Sequence, residues 1–99
     1  MAPTGLTATA GHGRITLNWS KVSGAESYTV KRATKSDGPY STVVSNLRAP
    51  SFTDKGLKNG KDYYYVVTSV NRLGVSPNSV QVKATPSKER GTPKTGIDN

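Results

Sequence analysis

Leu57-Lys58-Asn59-Gly60-Lys61-Asp62-Tyr63-Tyr64-Tyr65-Val66-Val67-Thr68-Ser69-Val70-Asn71 is the stretch that decides the fold. It opens on an Asn-Gly turn signal and continues in aromatic and β-branched residues, which suit a pleated, half-buried surface. Period two assigns Tyr63, Tyr65 and Val67 to a core and Tyr64, Val66, Thr68 and Val70 to the opposite face. The same alternation recurs on both sides, in Leu6 and Ala8, in Ile15, Leu17 and Trp19, in Tyr28 and Val30, and in Val80, Val82 and Ala84.

Turn signals separate these runs at Gly11-His12-Gly13, Ser23-Gly24, Asp37-Gly38-Pro39, Asn59-Gly60 and Leu73-Gly74. Such regular spacing is expected of a β-sandwich or barrel. The pattern predicts seven strands, near 4–10, 14–20, 26–33, 40–45, 51–54, 61–71 and 79–85. Their connections are too short for crossover helices, so the pairing is antiparallel. The expected organisation is a short start or linker over 1–2, one all-β sandwich over 3–86, and a flexible linker or tail over 87–99. That last segment has one apolar residue, Ile97, and cannot repay its ordering entropy.

Ninety-nine residues suffice for one core. With no cysteine, neither a disulfide framework nor a thiolate metal site is available, and packing alone holds the core. No apolar run approaches the roughly 20 residues that span a bilayer, so membrane insertion is not expected. Met1-Ala2-Pro3-Thr4 lacks the basic and apolar regions of a signal peptide. Fourteen Lys and Arg against six Asp and Glu give a net charge of +8. Along the chain these charges are scattered, which favours solubility and edge protection over a dedicated anion site.

Catalytic constellations are missing from the sequence. His12, the single histidine, has no Cys or second His for a zinc site or a Ser-His pair. Glu26, Asp37, Asp54 and Asp62 are the acids of the expected sandwich, each at a strand end or turn. Asp54 reads as a structural turn residue. Phosphate-cradle, dinucleotide and nucleophile-elbow motifs are absent too. The expectation is a non-catalytic module with no metal and no cofactor.

Three arrangements in order, Trp19 closing the second strand, Leu57 through Tyr63 leading into the sixth, and Asn71-Arg72-Leu73-Gly74-Val75-Ser76 ending it, resemble the fibronectin type III family. Pro3, Leu6, Gly24-Ala25, Tyr28 through Arg32, Tyr40, Phe52-Thr53-Asp54 and Ala84-Thr85-Pro86 agree, so the likeness covers 3–86. It implies a seven-stranded, immunoglobulin-like antiparallel sandwich of three- and four-stranded sheets with Greek-key connections. It also implies a core built on Trp19, Tyr28, Leu57, Tyr63 and Tyr65, with Tyr63 at the tyrosine corner. The Arg72 through Asn78 loop lacks the Arg-Gly-Asp of adhesive members.

The wording of the sequence is similar to the family's bacterial branch, which implies an accessory spacer in a secreted, extracellular multidomain protein such as a glycoside hydrolase. Neighbouring domains of the same polypeptide are the implied partners, the module itself being a monomer without specific nucleic-acid binding. The competing expectation is a polysaccharide- or protein-binding module. Its face would be the apolar stripe of Tyr64, Val66 and Val70 flanked by Lys31 and Lys83, or the 72–78 loop.

Overall fold

In the computed structural model, residues 2–87 are described. Eight strands form: β1 (Thr7–Gly11), β2 (Arg14–Asn18), β3 (Ser27–Ala33), β4 (Ser41–Leu47), β5 (Ser51–Asp54), β6 (Tyr63–Asn71), β7 (Gly74–Val75) and β8 (Val82–Ala84). One sheet has the order β1-β2-β5, and the other runs β4-β3-β6 with β7 and β8 both pairing with β6. All pairings are antiparallel. Chain crossings between the sheets at β2–β3, β4–β5 and β5–β6 give the Greek-key pattern.

Of the expected last strand, 79–85, only Val82–Ala84 pairs, as β8, while Val80, expected in its alternating apolar run, is 84% exposed; β7, earlier in the chain, occupies the same position beside β6. Pro77, lacking an N–H, interrupts the ladder. The gap stays hydrogen-bonded: Ser76 N–H donates to the Ser69 carbonyl at 2.8 Å and Ser79 N–H to the Val67 carbonyl at 2.9 Å. In return the hydroxyls of Ser79 and Ser76 accept from the N–H groups of Val67 and Ser69, each at 2.9 Å. Serine oxygens thus replace strand carbonyls, and the second sheet has four positions although it has five strands.

Alternation delivers the core. Ile15, Leu17, Val30, Tyr65 and Val67 are completely buried, and Trp19, Tyr28 and Tyr63 nearly so. The rings of Trp19 and Tyr28 meet edge-on with centroids 5.4 Å apart, a favourable aromatic geometry. Leu57 is partly buried and closes one end of this cluster. The Tyr63 hydroxyl accepts from the backbone N–H of Lys58 at 3.0 Å, bracing the loop that leads into β6.

Strand registers fix which loops share an end. Thr7 pairs with Asn18, Ser27 with Val70 and Asn18 with Ser51, so residues 2–6, 19–26, 48–50 and 72–73 lie at one end. Gly11 pairs with Arg14 and Tyr63 with Ala84, which puts the 12–13 turn, the 55–62 loop and Pro86 at the other. The principal extents are 54 × 25 × 19 Å. Residues 88–99, most of the expected tail, lie outside the described residues. Ser87 N–H donates to the Gly11 carbonyl at 3.2 Å.

Candidate functional site

The expected binding stripe on β6 is largely covered. Register places Lys31 opposite Val66 and Lys83 opposite Tyr64, so the five residues do share one face. On that face, however, Val66 is only 2% exposed and Thr68 1%. Tyr64 and Val70 are half-buried.

The cover comes from the 34–40 connection. Gln81 extends the outward-facing side of β8, at the sheet edge farthest from β4. Its Oε1 accepts from the Asp37 N–H at 2.6 Å and from the Tyr40 hydroxyl, while its Nε2 donates to Ser36 Oγ at 3.3 Å. A connection between β3 and β4 that reaches Gln81 must cross the outer face of β6. The aliphatic stem of Lys31 lies where it adds to that cover. The reading of Val66 as an exposed contact residue is therefore corrected: period two gives the face correctly but cannot show that a loop closes it.

Asp54 also differs from expectation. It ends β5 on the core side, 5% exposed, and its Oδ2 accepts from Arg32 Nη1 at 2.8 Å and from the Tyr65 hydroxyl at 2.7 Å. The three residues link the two sheets across the core margin. Burial first, then the hydrogen bond and charge of Asp54, push the Tyr65 phenol well above its ordinary range, with Arg32 opposing. For Arg32, burial favours loss of the proton, but the bond to Asp54 and its charge outweigh that and raise the guanidinium.

The remaining acids do not form a catalytic pair. Asp62 accepts from the Thr85 hydroxyl and lies 3.8 Å from Lys83 Nζ. Glu26 sits at the end holding residues 2–6, and Asp37 in the loop over the outer face. Among the described residues, no group of three or more His, Cys, Asp or Glu converges as a metal site would require.

At the end opposite Pro86, the 72–78 loop borders a shallow depression formed by Asn71, Leu73, Val75, Ser76 and Pro77. Leu73 is 92% exposed and Val75 64%. The Asn71 side-chain carbonyl accepts from the Leu73 N–H at 2.8 Å and shapes the turn. Of the candidate surfaces, this one is open.

Two sheets of this order packed on a Trp-Tyr core define an immunoglobulin-like β-sandwich. The chain belongs to the fibronectin type III family: the model of the fibronectin type III domain matches residues 1–85. A solved Fn3-like protein from Clostridium thermocellum superposes with a TM-score of 0.82 at 39% identity, covering 89% of this chain and 94% of that one. An amylopullulanase of Thermoanaerobacter thermohydrosulfuricus is 39% identical over 85 residues, 85% of this chain and 6% of the enzyme. A poly(3-hydroxybutyrate) depolymerase of Ralstonia pickettii is 38% identical over 86 residues, 85% of this chain and 16% of the enzyme. The chain thus spans a small fraction of the two enzymes and matches a segment of each.

Proposed function

We propose that this domain is a non-catalytic accessory module that fixes the separation of its neighbours in an extracellular, polymer-degrading protein. The observation that carries this reading is the path of the chain, with residues 2–6 at one end of the sandwich and Pro86 at the other. Modules joined to the two ends would be held apart along the 54 Å axis.

The gain over a disordered connection is narrowness of distance rather than mean length. A flexible chain of the same residue count has a root-mean-square span of roughly 50 Å, but with a broad distribution. The sandwich replaces that distribution with one distance. Amylopullulanase and poly(3-hydroxybutyrate) depolymerase are named for polymer substrates, and a polymer met outside a cell has to be cut there before it is taken up, which fits action outside it.

The test is replacement of residues 3–86 by a Gly/Ser linker of equal root-mean-square span in the full-length protein that carries the domain. Turnover of a short soluble substrate is expected to be unchanged, and turnover of insoluble polymer to fall. Equal activity on both would overturn the spacer reading.

The open depression beside Leu73 and Val75 favours a second reading, in which the 72–78 loop holds a glycan or a protein. Salt-resistant NMR shifts confined to residues 71–77 on titration with glucan fragments would support it.

A further inference from the structure

We infer that the Pro86 end of the sandwich is a docking site for an acidic polysaccharide. Arg14 is distant in sequence from Lys55, Lys58 and Lys61, yet the fold brings all four to one end. Gly13 joins them: its carbonyl accepts from the Leu57 N–H at 2.9 Å, and its N–H donates to Asn59 Oδ1 at 2.9 Å. Gly60 N–H donates in turn to the Pro86 carbonyl at 2.8 Å. The turn, the loop and the chain exit therefore form one hydrogen-bonded unit, so little ordering entropy is lost when a ligand binds.

These four cations are exposed, and the ion pairs of the described residues, Arg32–Asp54 and Lys83–Asp62, involve none of them. Lys61 Nζ lies 6.0 Å from the centre of the Tyr63 ring, which steadies the side chain without neutralising it. Asp62, the exposed acid nearby, is already shared by Lys83 and Thr85. The following sequence does not reverse the balance, since it contributes Lys88, Arg90 and Lys94 against Glu89 and Asp98. An excess of positive charge on a clamped scaffold calls for an external polyanion.

The missing aromatics narrow its chemistry. Tyr63 is buried at this end and the exposed ring of the 12–13 turn is the single imidazole of His12, so there is no platform of several rings on which successive bases or neutral sugars could stack. A linear glycan with a carboxylate on successive sugars offers spaced negative charge and needs no stacking.

The test is NMR titration with polygalacturonate, its fully methyl-esterified form, and duplex DNA. Amide shifts are expected around Arg14, Lys55, Lys58 and Lys61 with polygalacturonate and not with the ester. Four contacts imply that affinity falls about 50-fold between 50 and 200 mM salt. Lys55→Gln with Lys58→Gln should weaken binding at least about tenfold, whereas Arg48→Gln with Arg72→Gln, at the other end, should not. Thermal melts of both double variants confirm that each is folded. Equal loss in the two variants, shifts spread over the whole surface, equal binding of the ester, or DNA bound as tightly as polygalacturonate would each overturn the inference.

Discussion

Asp54→Ala is expected to destabilise the domain by about 2–4 kcal/mol, with the loss traceable to a single oxygen. Oδ2 of Asp54 accepts from both Arg32 and Tyr65, tying β5 of one sheet to β3 and β6 of the other. Removing it strands a completely buried Tyr65 hydroxyl, at a cost of about 1–3 kcal/mol. Breaking a fully buried ion pair runs to roughly 3–5 kcal/mol. The Arg32 side chain, however, is 35% exposed and regains water, so its share is discounted to about 1 kcal/mol. Urea unfolding followed by the fluorescence of Trp19, the single tryptophan, reads the change. With a slope of about 1 kcal/mol per molar, the midpoint should drop by about 2–4 M. Adding Tyr65→Phe removes the stranded hydroxyl, so the double variant should recover about 1–2 kcal/mol relative to the sum of the single changes. A midpoint shift below about 0.5 M, or strictly additive losses, would refute the inter-sheet link as a source of stability.

Trp19→Ala should cost about 3–5 kcal/mol, measured by far-ultraviolet circular dichroism because the fluorophore is lost; a loss below about 1 would contradict its place in the core. Tyr65 predicts an alkaline effect. Its folded phenol is raised above the unfolded value near 10, so its contribution is intact below that pH and lost above it, where the unfolded chain releases a proton that the fold retains. Wild-type stability should therefore fall more steeply than that of Tyr65→Phe above about pH 10, by up to about 1.4 kcal/mol per pH unit, and parallel curves would contradict the assignment. Thr68 Oγ1 is buried without a hydrogen-bond partner. Thr68→Val keeps the shape and the strand preference, so a gain of about 1 kcal/mol is expected in the same urea assay, and a loss would show that the hydroxyl is satisfied.

What the sequence makes legible is what periodicity and turn chemistry control. Ile15, Leu17, Trp19, Tyr28, Val30, Tyr63, Tyr65 and Val67 recur at every second position along their strands, and all are buried together. Contacts between distant loops carry no such signal. Nothing local links Gln81 to Ser36 and Asp37, so the closure of the face over Val66 is invisible until β3 and β8 are placed on either side of β6. Asp54 misleads for a related reason: in a strand-end sequence an Asp ordinarily satisfies itself through turn hydrogen bonds, and the compensating Arg32 and Tyr65 lie on the other sheet. The scattered charges likewise become a basic end only when Gly13 bonds to Leu57 and Asn59.

These closures direct function to the ends of the sandwich. The outer face of the β1-β2-β5 sheet presents short hydroxyls and an amide, among them Thr7, Thr9, Thr16 and Asn18, and the hydroxyls of Thr16 and Thr53 bond each other at 3.3 Å. On the other sheet, the outer face around Val66 lies under the 34–40 loop. Exposed apolar surface at Leu73 and Val75 therefore belongs to one end, and unneutralised positive charge to the other. Those ends are also where the chain enters and leaves, so any ligand held at Arg14, Lys55, Lys58 and Lys61 would sit against whatever follows Ser87. Binding there and the orientation of a following module would then be coupled, and by reciprocity a module fixed against this end would change the affinity for the polyanion by the same factor. Measuring polygalacturonate affinity with and without the neighbouring module therefore reads both, and identical affinities would show that the two act independently.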